Sequence, residues 1–411
     1  MPNRVFVGVD IGLTYTGVSY STLDQDAGPN PQAPATITQW PGLDGFSKKV
    51  PTRVCYRAGR YGIRSWGFEC PSTFTEAQKQ YCVYDCFKLW LEKSQLDIAN
   101  ERLSSQGEEE ITLRDVEMWF EDFLVALYEH AKAHIFKALK LVDWDSCEVE
   151  FVFGIPVTWR GKDVVKTFRC LVESTGFGKS PNHNVEIDLD EAEAAAVYAA
   201  FDPKFNAKAL VNENLPVELK SGSILLVCDA GDCATDISIL EVSSDERSPS
   251  LSLIPKAVSS GKSIGSALIA QEFERLLEKR LQRIRDKHPD MFLPKSSART
   301  ILRTQFEKIK TGVGKEDFDS VFSLPKLALQ CDHLPKDFNC AEVEVERGRL
   351  KINIKDHVLP LFNAQANHVV AFIDEQFKQL QKNMPDAKVL SDGFSHTSLY
   401  RETLGLPNTS K

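Results

Sequence analysis

The feature that most constrains this chain is a strand that ends in Asp-x-Gly and turns straight into a returning strand, because it occurs twice. Apolar residues alternate from Val5 to Val9, the chain turns at Asp10-Ile11-Gly12, and alternation resumes through Thr16, Val18 and Tyr20, the pattern of a β-hairpin. The segment SILLVCDAGDCATDISILEV, beginning at Ser223, repeats it. Laying Val9-Asp10-Ile11-Gly12 over Cys228-Asp229-Ala230-Gly231 also superposes Thr16 on Thr235, Val18 on Ile237 and Ser19 on Ser238. The two copies lie about half a chain apart, far too long a period for a solenoid. A chain of 411 residues exceeds one ordinary core and suits two lobes. Duplication therefore predicts an α/β protein of two related lobes, each a mixed β-sheet flanked by helices. Lobe I is expected over 1–205 and lobe II over 206–411, with the crossing between Asp202 and Lys220.

The intervening sequence fits this plan. TITQW reads as a strand. Thr112 and Asp115 carry a capping-box spacing ahead of a long helix with Val116, Trp119, Phe120, Phe123, Leu124, Leu127, Ile135 and Phe136 on one face. Val149 to Trp159 reads as a strand, and a helix with Val164, Val165, Phe168 and Leu171 runs to Gly176. IDLDEAEAAAVYAA, from Ile187, leads into an alanine-rich helix. Ile269, Phe273, Leu276, Leu277, Leu281 and Ile284 line another.

A net charge of −9 argues against nucleic acid as a partner, since phosphate backbones demand clustered Lys and Arg. No apolar run approaches a membrane span, and the N-terminus runs directly into a strand, so a cytoplasmic or nuclear address is expected. The ten cysteines form no CxxC pair, which predicts reduced, mostly buried thiols.

Two such hairpin tips suit a polyphosphate. Glycine lets backbone N–H groups approach phosphate oxygens closely, and an Asp at each strand end offers a hard oxygen to Mg²⁺ or its water shell. Asp10 and Asp229 are the candidate metal ligands.

VGVDIGLTYTGVSYS, VFGIPVTW, DLDEAEAAAVY, LLVCDAGDCATDISIL, GKSIGSALIAQEFERLL, FEKIKTG and VLSDGFSHTSLY occur in the order of the nucleotide-binding motifs of the seventy-kilodalton heat-shock chaperones. The chain resembles that family over essentially its whole length. It looks most similar to a divergent branch holding the twelfth mammalian subgroup and its fungal relatives, where WPGLDG, RSWGFE and FKLWL also have counterparts. The resemblance implies the actin-like ATPase fold, a duplicated ribonuclease H-like architecture, binding ATP or ADP with Mg²⁺. It implies client proteins or co-chaperones as further partners and a monomeric state. By position, Asp10, Gly12, Thr14 and Tyr15 would form the first phosphate loop, with Lys88 reaching the phosphate. Glu191 would orient the metal waters. Asp229 and Gly231 would open the second phosphate loop, and Asp236 would close it and position the attacking water. Gly265 and Ser266 would lie near the phosphates, Glu307 and Lys310 near ribose and adenine, and Gly393 and Phe394 beside the base.

The departures are specific. Leu13 stands where the family has a threonine. The second loop's three glycines and threonine are here Gly231-Asp232-Cys233-Ala234, and Asp392 replaces the first glycine of the adenine loop. At about 4 Å a like charge on Asp232 repels a phosphate by roughly 1 kcal/mol in water and about 4 kcal/mol at an effective dielectric of 20, unless a metal ion intervenes. Only about twenty residues follow Asp392, so no substrate-binding domain is expected, and hydrolysis is expected to be impaired. The alternative is a pseudo-ATPase that serves as a protein-interaction scaffold.

Other signals have plainer readings. Ser260-Gly261-Lys262-Ser263 lacks the upstream glycine of a P-loop, which is Lys256 here. His130 and His134 read as a solvated helix face rather than a metal pair. Cys82 and Cys86 read as packing residues. Of Asp188, Asp190, Glu191 and Glu193, a helix start favourable to the dipole, only Glu191 carries a functional expectation.

Overall fold

The computed structural model describes residues 4–23, 34–59, 62–71, 80–107, 109–201, 221–232, 234–244, 251–257, 259–289, 306, 310, 313, 327–328, 338–347, 349–383 and 389–394. The chain divides into two compact units, Met1–Ala194 and Ala195–Lys411.

In the first unit the expected hairpin is β1 (Arg4–Ile11) and β2 (Tyr15–Leu23), paired antiparallel with Asp10 opposite Gly17. β3 (Ala35–Thr36) and β4 (Val50–Pro51) both pair with β2. On the other side β8 (Glu148–Ile155) runs parallel to β1, and β9 (His183–Asp190) runs parallel to β8. The order β3-β2-β1-β8-β9, antiparallel then parallel, is that of a ribonuclease H-like lobe. A smaller sheet orders β6 (Ser65–Trp66), β5 (Arg53–Arg57) and β7 (Tyr81–Asp85). Helices α1 (Phe87–Trp90), α2 (Lys93–Gln106), α3 (Leu113–Ala138), α4 (Asp163–Ser174) and α5 (Glu191–Phe201) complete the order. The contact division falls inside α5.

The second unit repeats the plan. β10 (Ile224–Ala230) and β11 (Thr235–Ser244) form the second hairpin, with Asp229 opposite Asp236. β12 (Leu251–Pro255) and β13 (Ser260–Lys262) both pair with β11, as β3 and β4 do with β2. β17 (Val389–Phe394) runs parallel to β10 in the place β8 takes beside β1. Helices α6 (Ser266–Lys287) and α7 (Leu359–Asn383) flank it, and β14 (Leu327–Ala328), β16 (Arg349–Leu350) and β15 (Val345–Glu346) make a small sheet.

The physical reasons are local. Val5, Val7, Val9 and Ile11 alternate into the first core with Val18 and Tyr20, while Gly8, Asp10, Gly17 and Ser19 take the other face. α3 opens with the expected capping box, Thr112 accepting from the Asp115 N–H and Asp115 from the Thr112 N–H. It buries Val116, Trp119, Phe120, Phe123, Leu124, Leu127 and Ile135, whereas Phe136 sits at the edge of that face and is exposed. In α6, Ile269, Phe273, Leu277, Leu281 and Ile284 are buried and Leu276 only partly.

Four expectations need correction. Only Thr36 of TITQW joins a ladder, because Trp40 turns inward to donate its indole N–H to the Ser47 carbonyl at 2.8 Å. β8 stops at Ile155, since Pro156 has no N–H to give a strand partner, and Val157–Trp159 form a single 3-10 turn. The residues ahead of the alanine-rich helix are a parallel strand, β9, whose alternation of Val185, Ile187 and Leu189 among acidic residues was overlooked. Among the described cysteines, Cys55, Cys70 and Cys228 are buried, but Cys82, Cys86, Cys147 and Cys340 are partly exposed and Cys170 is exposed. The proposed crossing, 202–220, lies outside the described residues.

His130 is not on a solvated face either. It stacks on Trp40 with ring centroids 5.1 Å apart, meets Trp66 edge-on and bonds the Gln39 carbonyl at 2.9 Å. Burial, foremost, holds the proton affinities of His130, His134 and His183 below the ordinary imidazole value of 6.5. Unfolded imidazoles therefore take up protons first, and the stabilisation they confer is present above 6.5 and lost as pH falls below it. Thermal unfolding followed from pH 8 to pH 5 is expected to show a midpoint that declines below about pH 6.5, before ordinary carboxylates titrate. Thr112→Ala is expected to cost about 1 kcal/mol in urea unfolding monitored by tryptophan fluorescence, which Trp119 on the same helix reports.

Candidate functional site

In the first unit the strands β1, β8 and β9 are parallel, so their carboxyl ends share one edge of the sheet. Open α/β sheets bind ligands outside such an edge. Asp10 is the penultimate residue of β1, Asp190 closes β9 and Glu191 opens α5.

The first tip is a tight closed turn. The Gly12 N–H donates to the Tyr15 carbonyl at 3.0 Å, and a Cβ on Gly12 would lie 2.4 Å from that oxygen, so close backbone approach requires glycine here. Thr52, just after β4, straps the tip. Its hydroxyl donates to the Gly12 carbonyl at 2.9 Å, its N–H donates to the Thr14 carbonyl at 2.8 Å, and its hydroxyl lies 2.8 Å from that of Thr16. Leu13 points inward and is buried, so the missing hydroxyl is exchanged for an apolar anchor. Tyr15 is exposed.

Asp10 Oδ2 lies 2.7 Å from Lys49 Nζ. Sequence reading missed Lys49; its signal is Lys48-Lys49 ahead of β4, which pairs back onto β2. Gly17, opposite Asp10, leaves room for the lysine stem, since a Cβ there would touch Lys49 Cγ at 3.5 Å. Both charged groups are well exposed, so the pair is worth about 0–1 kcal/mol and a competing cation can exchange for the ammonium.

Lys88 and Glu191 come together as a pair. The Lys88 ammonium, on α1, donates to Glu191 Oε1 at 2.7 Å and lies 5.5 Å from the Trp159 ring centroid. Lys88 is buried, so it is not the surface lysine that an amphipathic helix suggests. The acidic cluster is not a simple solvated helix start. Asp190 is wholly buried, 2.8 Å from Arg160 Nη2, and its Oδ1 accepts the Glu193 N–H at 2.6 Å, an anion set against the N-terminus of α5. Glu193 also meets Arg160 at 3.0 Å, and its proton affinity is raised, first by burial and then by the Asp190 charge.

The second tip repeats the turn, the Gly231 N–H donating to the Ala234 carbonyl at 2.9 Å. Thr235 anchors it as Thr16 anchors the first, its buried hydroxyl donating to the Ile264 carbonyl at 2.8 Å. Asp229 and Asp236 occupy directly opposed positions, side chains on the same face, an arrangement of like charges that favours a nearby cation. Burial, then these two charges, push the Cys228 thiol up to about 12. β17 sets Gly393 beside Cys228 and Phe394 beside Asp229, at the carboxyl edge of β10 and β17. Asp392 lies one step back, beside Val227.

Gly265 and Ser266 lie at this tip, where the donors of Ser266 and Ala267 are already engaged. The Ser266 N–H donates to the Gly231 carbonyl at 3.2 Å and the Ala267 N–H to the Asp232 carbonyl at 2.9 Å, with Gly265 as the residue before α6. The Asp232 carboxylate accepts from the Ser266 hydroxyl, and Lys310 Nζ lies 3.4 Å from Asp232 Oδ1 and 3.2 Å from Ser266 Oγ. Lys310 is thus at the second tip. Glu307 and Cys233 lie outside the described residues. Lys262, of the P-loop-like tetrapeptide, is on β13, 2.6 Å from Glu375 and over the Phe372 ring, where it ties β13 to α7.

As to metal, among the described residues no group of three His, Cys, Asp or Glu side chains is arranged to hold an ion. Mg²⁺ characteristically takes one or two carboxylates with waters and substrate phosphates, a donor set that Asp229 with Asp236 fits better than Asp10 beside Lys49.

No family model and no curated protein matches the sequence. Among solved structures the chain is similar to the crystal structure of MreB5 of Spiroplasma citri bound to ADP, at 15% identity and a TM-score of 0.35 over 76% of this chain and 63% of that one. The chain therefore spans less than two thirds of that structure's length. At that score residues and ligands do not transfer, and the fold assignment rests on the strand order and direction of each unit.

The two turns differ in tightness. A Cβ on Gly231 would lie 3.3 Å from the Ala234 oxygen, against 2.4 Å at the first tip. Gly12→Ala is expected to destabilise the protein by roughly 1–3 kcal/mol in urea unfolding, and Gly231→Ala by less than about 1 kcal/mol.

Proposed function

We propose that this chain is a nucleotide-binding protein of the actin-like ATPase type, taking ATP or ADP with Mg²⁺ and hydrolysing ATP weakly. The observation that carries the reading is the recurrence, in each unit, of one closed Asp-x-Gly turn at the carboxyl edge of parallel strands. In this reading the Gly12 tip receives phosphate through Thr14 and Tyr15. Lys88, held by Glu191 and Trp159, supplies a fixed positive charge, since a buried ammonium beside one carboxylate keeps much of its field. Asp229 and Asp236 hold the metal, and Asp236 orients the attacking water. Mg²⁺, when bound, would supply charge neutralisation at the phosphates. Client proteins or co-chaperones, a monomeric state and a cytoplasmic or nuclear address belong to the same proposal through the resemblance to heat-shock chaperones. No described helix is long and apolar enough to cross a membrane.

The second reading, a scaffold that no longer turns over nucleotide, draws support from one observation: Ser266 and Lys310 are engaged by Asp232. Calorimetric titration of the full chain with MgATP separates the two. Measurable heat at or below millimolar ligand is expected, with a slow turnover that Asp10→Asn reduces at least about tenfold by removing the carboxylate at the first tip. The absence of heat and of any thermal shift at millimolar MgATP rules out the nucleotide reading, whereas hydrolysis abolished by Asp10→Asn rules out the scaffold.

A further inference from the structure

The second hairpin carries a charge that the first does not, and the structure gives that charge partners. Asp232 follows Gly231 at the tip, and its carboxylate accepts the Ser266 hydroxyl at the first residue of α6 while Lys310 Nζ stands 3.4 Å away. Lys310 Nζ is also 3.2 Å from Ser266 Oγ, so ammonium, hydroxyl and carboxylate close a triangle. The Lys310 side chain is only 10% exposed and that of Asp232 25%. A hydroxyl and a lysine ammonium converging on one anion at the start of a 22-residue helix are the groups that recognise a phosphate, and here the anion is part of the chain. The first tip has no counterpart: Leu13, which follows Gly12, is buried and apolar.

We propose that Asp232 is an internal anion that occupies the phosphate-taking groups of the second hairpin, so that a polyphosphate must displace the chain's own carboxylate from Ser266 and Lys310. The inference rests on reading the Gly231 hairpin as a phosphate loop and identifies what limits it. Affinity at this tip is then set by competition rather than by the loss of glycine flexibility. Neutralising Asp232 raises affinity for polyphosphate.

The test uses the full chain and sodium pyrophosphate without added magnesium or nucleoside. Pyrophosphate binding and thermal midpoint are measured for the native protein, Asp232→Asn, and Asp232→Asn combined with Lys310→Met. Asp232→Asn is expected to lower the midpoint without ligand, to bind pyrophosphate about tenfold or more tightly than the native chain, and to recover its midpoint when pyrophosphate is added. Lys310→Met is expected to remove that gain. If the Asn variant does not fold by circular dichroism, Asp232→Ser, which also removes the charge and is shorter, serves in its place. The proposal is overturned if the neutral variant binds pyrophosphate no better than the native chain, or if the gain survives Lys310→Met. Binding of MgATP by the native protein with no gain from the neutral variant removes this inference alone. A gain without any MgATP binding by the native protein removes the proposed function and leaves the internal anion standing.

Discussion

The structure depends on one short backbone hydrogen bond made twice, from the N–H of the glycine in Asp-x-Gly to the carbonyl three residues on. That bond fixes where each hairpin reverses, and the reversal fixes every register downstream. It sets Asp10 against Gly17 and Asp229 against Asp236, and it turns Thr16 and Thr235 inward as buried anchors. A one-residue slip would move the valine face of β1 out of the core and carry Asp10 into it. The turn also leaves the aspartates at the strand ends, where parallel neighbours end as well.

Around that frame, several charged groups are already matched to one another. Asp10 meets Lys49, Glu191 meets Lys88, Asp190 meets Arg160, and Asp232 meets Lys310. These pairs are not equivalent. The exposed Asp10–Lys49 contact exchanges easily, while the buried Lys88 and Asp190 hold their partners in place because an uncompensated charge there would cost several kcal/mol. The edge thus combines replaceable and fixed electrostatics, which separates residues suited to receiving a ligand from those that hold the shape.

Much of this was legible from residues. The hairpins, the capped helix at Thr112 and the second-unit helix follow from alternation, capping and 3.6-residue spacing, all local signals. What escaped depends on contacts distant in sequence. Lys49 reaches Asp10 only because β4 folds back on β2, and no spacing rule encodes that. Asp190 and Glu191 were grouped as one acidic helix start, although a parallel strand buries the first and Lys88 claims the second. Asp232 reads as a charge that repels a phosphate unless a metal ion intervenes, since the lysine beside it lies far along the chain. His130 reads as solvated because its aromatic neighbours, Trp40 from a loop and Trp66 from β6, come from segments far from it in sequence.

The pairing of β17 with β10 bears on how the protein is made. Ile224 must wait for Val389 before that edge of the second sheet is covered, as Arg4 of β1 waits for Glu148 of its parallel partner β8. Emerging from a ribosome, the first unit has all its strands available before any of the second exists. The second then presents an apolar, unpaired β10 edge throughout a long stretch of synthesis. Each unit thus passes through a vulnerable interval set by the order in which its strands are delivered, and the unit that carries Asp232 passes through it last.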